Sequence, residues 1–595
     1  MKNPSIARIS RQQMFLFTMF IGSFFIISKA GVTGMEMHES FGRQGNDDIM
    51  RLLSVRDWLG GQRWYDVVQY RLMPPEGVSL HWSRYIDAGI AAIIVPFSWV
   101  MSIATAEAVA VTVWPTIISI SILFVVGFGT RRVFGPLAAC FAVLCTLLWP
   151  LASSLHASAG SLDHHNIQML LMMLVANALI WPSRPVTSGI VGGLAAAFSL
   201  AVGLESLVFM VGAGLVALLR ASILDTSDAR RFLLVFCAAL AVGSVLLWLG
   251  QAGPSTRMNL MCDQLAPPTL ALVGIASTAC IGALALARWT ANKTARLGGA
   301  CLITLVGLLL ASPLLSNCLA GPYAQIPHEL QELITNSISE AKPFLVYAHE
   351  KPAVALVFST PIFVAIIAGA LQWQKERELP IMDRSRYNAL GVLLLLCVVG
   401  LPMMFVQMRA VIIAASVVPM IAGPVIAFRV ESYLVSRNLK DGIIAIVIAV
   451  ALISPTVVVQ LLHPVLSQRD KISSAAQSDC RGYSSLVTLN ELPPATILTH
   501  LNFGPALMWA THHSSLAAPY HRSAEAFLNG IVPFQMEEAD FVSYVRDTTA
   551  THLLLCRGFN YQSEYVRGLA SGGSADWLRR VPVSSEDQLL FEILR

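Results

Sequence analysis

Charged residues are scarce in this sequence, and their scarcity excludes an ordinary water-soluble protein. Asp, Glu, Lys and Arg make up 13% of the chain, whereas soluble domains carry about a quarter. The net charge of +4 is small for 595 residues, and the basic residues form short clusters instead of a continuous stripe. This distribution argues against a nucleic-acid partner.

The sequence also has no cysteine pattern typical of a zinc site, since no Cys-x-x-Cys or Cys/His spacing occurs. Most of the cysteines lie inside apolar runs, where a thiol is a small buried apolar group. The other four are Cys262, Cys318, Cys480 and Cys556. They lie in loops or the tail and are able to form one or two disulfides if that side is oxidising, with the pairing left open.

Long hydrophobic runs dominate what is present. Hydrophobic residues make up 55% of the chain, and the mean hydropathy is +0.64. Because a membrane span needs about twenty mostly apolar residues, the sequence predicts about thirteen spans. These are Met14–Ala30, Val109–Gly127, Pro136–Leu155, Ile167–Trp181, Gly189–Leu204, Ser206–Leu219, Phe232–Gly250, Leu270–Leu286, Leu297–Leu315, Ala353–Leu371, Leu390–Val406, Ala410–Phe428 and Ile443–Leu462.

The basic clusters alternate along the chain and so predict its orientation. Lys and Arg are enriched in cytoplasmic loops, and every second connection here is basic, beginning with Arg131-Arg132. Met14–Ala30 is expected to be the first membrane helix and not a signal peptide, because no Ala-x-Ala cleavage pattern follows it. The alternation excludes Asp87–Val100 as a full span, so we expect an amphipathic or re-entrant segment there on the outer side.

The predicted architecture is therefore a polytopic α-helical membrane protein with a small soluble α/β tail. The transmembrane domain covers residues 1–462, with outer loops at 31–86, 156–166 and 317–352, and residues 463–595 form the extracytoplasmic tail domain. Short strand-like runs alternate with helical stretches in this tail. The strands are expected at Ala495–Thr499, Thr551–Cys556 and Gln588–Ile593, and the helices at Ala506–Thr511 and Glu537–Asp547.

The first outer loop carries two adjacent carboxylates, Asp47 and Asp48, immediately before a run of apolar residues at helical spacing. Acidic residues are common at helix starts, where they cap the helix and complement its dipole. That interpretation is favoured if the motif is taken alone. Further along the loop, Trp82 and Arg84 belong to an aromatic and cationic stretch typical of a sugar-binding or interfacial surface.

The second outer loop contains Asp163-His164-His165-Asn166 between two apolar spans. Polar groups at a membrane boundary tend to be functional. Carboxylate and imidazole together suit Mn²⁺ or Zn²⁺, and carboxylate alone suits Mg²⁺. The alternative is that Asp163 caps the next helix and the histidines are merely interfacial.

Two single charged residues complete the set. Glu340 ends the segment Ser337-Ile338-Ser339-Glu340 in the third long outer loop, where a solvated carboxylate is the default interpretation. Arg409 lies between two spans on the predicted outer side. Such an arginine either extends towards the interface or pairs with a lipid phosphate.

Taken together, these groups match one chemistry. Sugar transfer from a polyprenyl phosphate or diphosphate requires neutralisation of the departing phosphate by a metal ion or a cation. It also requires a carboxylate to accept or orient the proton of the acceptor. Asp47 or Asp48, Asp163 with His165, and Arg409 supply these groups, and the predicted topology places all of them on one face.

The order of these motifs resembles the catalytic subunit of oligosaccharyltransferases within the GT-C glycosyltransferases, over essentially the whole chain. The resemblance implies a GT-C fold, a polyprenyl-linked sugar donor and a divalent metal ion, Mn²⁺ or Mg²⁺. It implies that Asp163, His165 and Asp47 or Asp48 serve as metal ligands or base. It also implies that Glu340 contacts the metal or the acceptor, and that Arg409 binds the donor phosphate.

The sequence departs from that family in the tail. Members that modify Asn in Asn-x-Ser/Thr carry a Trp-Trp-Asp-x-Gly motif, and the corresponding place here is Leu501-Asn502-Phe503-Gly504-Pro505. The acceptor is therefore a glycan, a lipid or another protein site. We count His164, Trp82, Arg84 and His521 as further candidates for donor or acceptor contacts.

The sequence thus predicts a membrane glycosyltransferase that moves a sugar or glycan from a polyprenyl-linked donor to an extracytoplasmic acceptor. It would reside among the lipids of the cytoplasmic (inner) membrane, with its active site and tail on the outer face, which is periplasmic if the source is Gram-negative. A transporter or flippase for a lipid-linked glycan is the alternative. Against it, the charged residues cluster in outer loops and no inverted repeat is visible. A non-catalytic receptor would leave the Asp-His-His segment unexplained.

Overall fold

The computed structural model describes residues 10–150, 158–181, 183–319, 321, 326–378, 383–466 and 480–595. Among these residues, nine helices are long and apolar enough to cross a membrane. One bent pair of helices and three shorter apolar helices bring the number of apolar elements in these ranges to thirteen. They correspond one for one to the predicted spans. The end of the third predicted span, residues 151–155, lies outside the described residues. The helices are Arg11–Gly34, Ile103–Phe134, Pro136–Leu148, His165–Ile180, Pro185–Val202, Leu207–Ile223, Ser227–Gln251, Pro267–Leu286, Lys293–Leu310, Pro352–Arg377, Arg384–Val406, Val418–Ser436 and the pair Leu439–Ile453 with Pro455–Leu466.

Proline explains where several of these helices begin or break. Pro136, Pro185, Pro267 and Pro352 each stand at the first position of a span, where the missing N–H of proline costs nothing. The predicted span Ala410–Phe428 is instead broken into Val411–Ala415 and Val418–Ser436. Pro419, at the start of the second piece, cannot continue the preceding helix.

The thirteenth span bends in the same way. The two helices Leu439–Ile453 and Pro455–Leu461 meet at an angle of 102°, because Ser454 precedes a proline and leaves the helical region. The predicted boundary between residues 462 and 463 falls inside the helix Pro455–Leu466. Residues 467–479 lie outside the described residues.

The stretch around Asp87–Val100 forms the helix Arg84–Ser98, which buries Ile86, Ile90 and Ile94 along one side. It is not among the helices long and apolar enough to span a membrane, as expected for an amphipathic segment. The other connecting helices are Met37–Ser40, Phe41–Arg43, Asn46–Leu59, Ser312–Leu315, Ser316–Cys318, His328–Ser337, Ser339–Ala341, Phe344–Glu350 and Met408–Ala410.

The tail forms a five-stranded mixed sheet with short helices, in agreement with the predicted α/β class. The strands are β3 (Thr496–Leu498), β4 (Ser514–Ser515), β5 (His552–Cys556), β6 (Leu578–Val581) and β7 (Gln588–Ile593), following the hairpin β1 (Val68–Gln69) and β2 (Val78–Ser79) of the first outer loop. The strand order in the sheet is β4-β3-β5-β7-β6, with β3 parallel to β4 and β5, and β7 antiparallel to β5 and β6. The three predicted strands are present, whereas β4 and β6 were not predicted. The tail helices are Tyr483–Val487, Thr488–Glu491, Gly504–Ala510, Ala524–Asn529, Pro533–Gln535, Glu538–Asp547 and Glu564–Ala570.

The first outer loop and the tail are packed against each other. The Ser515 N–H donates to the Arg71 carbonyl at 2.9 Å, and the Met73 N–H donates to the Ser515 carbonyl at 2.9 Å. The first loop therefore adds a short bridge to the edge strand β4 of the tail sheet. This contact places the tail over the loop that carries Asp47 and Asp48.

Two disulfides answer the pairing question that the sequence leaves open. Cys262 bonds to Cys318 and Cys480 bonds to Cys556. All four residues lie on the side that the basic-loop pattern assigns to the exterior. The cysteines in apolar runs remain free thiols.

Candidate active site

The helix Asn46–Leu59 begins with both candidate carboxylates in its first turn. Asp48 does more than complement its own helix, because its Oδ1 accepts the backbone N–H groups of Leu162 at 2.7 Å and Asp163 at 2.8 Å. Asp48 thereby joins the first outer loop to the second. Burial and the nearby Asp163 charge raise the pKa of Asp48 to about 7, although the bound backbone N–H groups oppose the shift.

Asp163 and the two histidines form a compact cluster in the second loop. The Asp163 Oδ1 lies 2.7 Å from His164 Nδ1, and its Oδ2 lies 3.4 Å from His165 Nε2. One ligand atom from each of the three residues lies within 4.8 Å of the others. The spacing predicted from the sequence therefore produces a set of groups able to hold a metal ion.

Glu205 extends this cluster from the loop between the fifth and sixth spans. His164 Nε2 lies 3.1 Å from Glu205 Oε1, and Gln168 Nε2 donates to Glu205 Oε2 at 2.8 Å. Burial lowers the pKa of His164, but Asp163 and Glu205 outweigh it and raise that pKa to about 10. His164 is held between two carboxylates, which favour its protonated form when no metal ion is bound.

Asp47 experiences the charges of three loops. Burial raises its pKa well above the ordinary value, and the charges of Asp163, Glu340 and Asp48 raise it further. Its environment is therefore crowded with negative charge. No hydrogen bond to its carboxylate is present among the described residues, which leaves this group available to a cation or to a proton.

Glu340 and Arg409 lie on adjacent short helices. The Met408 N–H donates to the Lys342 carbonyl at 2.8 Å, which joins the segment of Arg409 to the segment of Glu340. The Nε of Arg409 donates to Gln407 Oε1 at 3.0 Å. The third outer loop thus brings the Glu340 carboxylate near Asp47, and the segment between the eleventh and twelfth spans places the Arg409 guanidinium beside that loop.

The tail covers the start of the helix Asn46–Leu59. Asn46 donates to Asn502 Oδ1 at 3.0 Å, and its carbonyl accepts the Tyr520 hydroxyl at 2.9 Å. Arg481 donates to the Gln44 carbonyl at 2.6 Å and to Asn46 Oδ1 at 3.3 Å. Tail residues therefore surround the residue immediately before the two carboxylates.

Asp47, Asp48 and Asp163, together called the acidic cluster, also affect the pKa values of Tyr520 and Arg481. Burial raises the pKa of Tyr520 well above its ordinary value, followed by the charges of Asp47, Asp163 and Asp48. Burial lowers the pKa of Arg481 to about 10, although Tyr520 and Asp48 oppose the shift. Tyr520 is consequently a neutral hydroxyl at pH 7, and Arg481 is a cation.

The remaining sequence candidates are placed beside this centre. Arg84 is buried and pairs with Asp87 at 3.0 Å, and its other donors bond to Ser54, Gln62, Trp64 and Asp66. Its guanidinium is thus engaged within the loop, so this placement gives no support to the predicted substrate contact. Trp82 packs edge-on against Tyr520, with 5.5 Å between ring centroids.

His521 belongs to a neighbouring group. Its Nε2 lies 2.9 Å from Asp263 Oδ2, and its ring lies 4.8 Å from that of His81. Arg522 binds both oxygens of Asp263, at 2.7 and 2.8 Å. This group ties the tail to the loop that is held by the Cys262–Cys318 disulfide.

Sequence reasoning missed Glu205, Tyr520 and Arg481. Glu205 did carry a signal, because it is a lone carboxylate between the apolar segments 189–204 and 206–219, where ionisable groups tend to be functional. Tyr520 and Arg481 carried no comparable signal. Their position depends on how the tail packs on the first loop.

The donor set fits a divalent cation. Asp47, Asp163 and Glu340 interact electrostatically around the imidazoles of the second loop, and carboxylate with imidazole suits divalent metals. The raised pKa values of Asp47 and Asp48 arise in part from mutual repulsion. A bound cation would relieve that repulsion.

Comparison with solved structures identifies the fold. The archaeal oligosaccharyltransferase AglB from Archaeoglobus fulgidus, in complex with an inhibitory peptide and a dolichol-phosphate, superposes with a TM-score of 0.63 at 13% identity, over 92% of this chain and 69% of that one. Its apo form gives a TM-score of 0.64 at 13% identity, over 91% and 69%. The complex with Zn and sulfate gives 0.57 at 13% identity, over 89% and 68%. The chain therefore has the GT-C fold that its sequence predicts.

No protein-family model and no curated protein matches the sequence.

Proposed function

We propose that the protein is a membrane glycosyltransferase that moves a sugar or glycan from a polyprenyl phosphate or diphosphate to an extracytoplasmic acceptor. The observation that carries this proposal is the convergence of charged groups from separate loops at one end of the helical bundle. Asp48 bonds to the backbone of Asp163, His164 contacts Glu205, and Glu340 acts on Asp47. The neighbouring oligosaccharyltransferase was solved with a dolichol-phosphate, which supports a donor of this class.

We assign each residue a role in the transfer reaction from the groups that surround it. Asp47 is the carboxylate that takes or orients the proton of the acceptor, because its pKa is raised and no described residue donates to it. Asp48 is the positioning residue that holds the second loop through two backbone N–H groups. Tyr520, Asn502 and Arg481 fix the start of the helix that carries both.

Asp163 and His165 would hold a divalent ion, Mn²⁺ or Mg²⁺, beside Asp47. When bound, the ion would neutralise the negative charge of the departing phosphate. Arg409 binds the same phosphate from the side of the third loop, as a guanidinium matches phosphate geometry. Glu340 supports the metal or the acceptor.

The segment that replaces Trp-Trp-Asp-x-Gly supports an acceptor other than a standard Asn-x-Ser/Thr site. Asn502 is engaged with Asn46 at 3.0 Å. Gly504 lies so close to the tail backbone that an added Cβ would be 1.9 Å from the Ala517 carbonyl. This segment therefore packs the tail instead of presenting a tryptophan pair to a peptide.

The disulfides support an outward-facing site. Cys480–Cys556 adjoins Arg481, which donates to Asn46 at the start of the helix that carries Asp47, and Cys262–Cys318 adjoins Asp263, which binds Arg522 of the tail. Disulfides persist in oxidising compartments and are rare in the cytosol. We therefore infer that the site and the tail face the outer side of the cytoplasmic (inner) membrane, which is periplasmic if the source is Gram-negative.

The test is transfer from a radiolabelled lipid-linked sugar by the purified protein. Asp47→Asn and Asp163→Asn are expected to lose at least about a hundredfold in rate, as one proton-transfer or metal-binding group typically contributes that much. Removal of divalent ions with EDTA should abolish transfer, and Mn²⁺ or Mg²⁺ should restore it. Added metal should also raise the melting temperature of the wild type and not that of Asp163→Asn.

The matched control is Asp540→Asn, which removes an exposed carboxylate of the tail and should leave transfer unchanged. Normal transfer by the Asp47 and Asp163 variants would remove the assignment. If the donor is bound but never cleaved in detergent, where no vectorial movement exists, the protein is a transporter instead.

A further inference from the structure

A cavity lies at the other end of the helical bundle from the acidic cluster. Its volume is about 630 Å³, and it opens between the spans Arg11–Gly34, Ile103–Phe134, His165–Ile180 and Pro185–Val202. The helix His165–Ile180 connects the two places, since His165 begins it and Trp181 follows its end. Sixteen residues at a rise of about 1.5 Å each separate them by about 24 Å.

Arginines line the mouth of this cavity. The Arg132 guanidinium lies over the Trp181 ring, 3.2 Å from its centroid, and Arg131 donates to Gln12 Oε1 at 3.0 Å. Arg184 is close enough for its charge to act on Arg132. Three positive charges therefore meet at the boundary that the basic-loop pattern assigns to the cytoplasm.

Protein carboxylates do not balance these charges. Within the described ranges, Arg131, Arg132 and Arg184 form no salt bridge, and residues 1–9 and Pro182 contain no Asp or Glu. Stacking on Trp181 occupies the flat face of the Arg132 guanidinium and leaves the N–H edge for an anion. An external anion is the remaining partner.

The interior of the cavity is apolar. Phe124, Phe128, Leu174, Ile180 and Val191 form much of its wall. Such a wall suits the start of an acyl chain, while the mouth suits a phosphate. The combination has the polarity of a phospholipid at the membrane surface.

We infer that this cavity binds the phosphate headgroup and upper acyl chain of an anionic phospholipid of the cytoplasmic leaflet. Basic pockets between transmembrane helices on this side are known to hold anionic headgroups. Arg131 and Arg132 bind the phosphate through charge-assisted hydrogen bonds. A sugar donor awaiting transfer is a poorer fit, since its phosphate is needed about 24 Å away at the acidic cluster.

The experiment measures retained lipid by native mass spectrometry of the purified full chain after addition of phosphatidylglycerol or phosphatidylcholine. The wild type should retain phosphatidylglycerol preferentially. Arg131→Gln with Arg132→Gln should weaken retention about tenfold, as expected from the loss of charge-assisted hydrogen bonds. The matched control, Arg230→Gln with Arg231→Gln, removes an equal charge on the same side away from the cavity and should retain the lipid.

A second variant protects the test against misfolding of the arginine variant. Val191→Phe fills part of the cavity without any change in charge, and it should also reduce retention. Equal retention by all variants, equal loss in the control, or equal binding of phosphatidylcholine would overturn the proposal. If inorganic phosphate alone displaces phosphatidylglycerol, the cavity binds an anion and not a phospholipid. If undecaprenyl phosphate is retained in preference to phosphatidylglycerol, the ligand is the carrier lipid instead.

Discussion

Asp47 and Asp48 are neighbours in the sequence, yet the structure gives them different surroundings. Asp48 accepts two backbone N–H groups from residues 162 and 163, while Asp47 meets mainly the charges of other carboxylates. The sequence indicates that one of the two is important, since both start the same helix. It cannot separate them, because the groups that do so lie more than a hundred residues away.

This difference predicts opposite effects on stability. Asp48→Ala leaves the N–H groups of Leu162 and Asp163 without their acceptor, so it should lower the free energy of unfolding by about 1–3 kcal/mol. Asp47→Ala removes a repelled charge and should leave stability unchanged or raised. Thermal unfolding of the purified variants measures both effects. Equal destabilisation by the two changes would contradict this division of roles.

His500 provides a prediction about pH. Burial among Phe503, Phe534 and Phe559 lowers its pKa to about 4, below the unfolded value of about 6.5. The unfolded chain therefore binds the proton more readily, so stability is complete above pH 6.5 and falls as the pH drops towards 4. His500→Phe should remove this part of the acid sensitivity.

The check is the melting temperature of wild type and His500→Phe between pH 7.5 and pH 4.5. The two curves should separate as the pH falls. His512→Phe, which changes an exposed histidine of the same domain, is the control and should follow the wild type. Parallel curves for all three proteins would refute the prediction.

At the scale of elements, the sequence predicts the long helices well and the short elements poorly. An apolar run of span length leaves a helix as its main solution in a bilayer. Each predicted span contains a helix among the described residues, although three of these helices are short and the thirteenth is bent. The strand β4 has two residues, too few to carry an alternating pattern. It exists because β3 and the first outer loop pair with it, which no local pattern records.

The short helix Phe41–Arg43 shows how closely the first loop and the tail approach. A Cβ on Gly42 would lie 2.0 Å from the backbone carbonyl of Arg481, so Gly42→Ala should push the two segments apart. We expect a loss of transfer activity and a lower melting temperature. Gly31→Ala, where an added Cβ meets nothing within 4 Å, is the control and should be neutral in both assays.

At the scale of the whole molecule, the order of spans and loops was accessible from the sequence because hydrophobicity and basic loops fix it. The sequence predicted only some of the residues that meet at the candidate site. Topology placed Asp47, Asp163, Glu340 and Arg409 on one face. The contributions of Glu205, Arg481 and Tyr520 follow from packing between distant segments and required the structure.

Sidedness gives a prediction at this scale. A cysteine at Ser571, which is exposed in the tail, should react with a membrane-impermeant maleimide in intact cells. A cysteine at Ser183, which follows the fourth span, should react only after permeabilisation. Labelling of both positions in intact cells, or of Ser183 alone, would contradict the proposed orientation.

Tyr520 and Asn46 are 474 residues apart in the chain and meet in one hydrogen bond. The ribosome therefore makes Asp47 and Asp48 long before it makes the tail residue that covers the start of their helix. A nascent chain carries both carboxylates without that cover until Tyr520 is made. Premature termination before Tyr520 would accordingly remove this cover while Asp47, Asp163, Glu205 and Glu340 were still made.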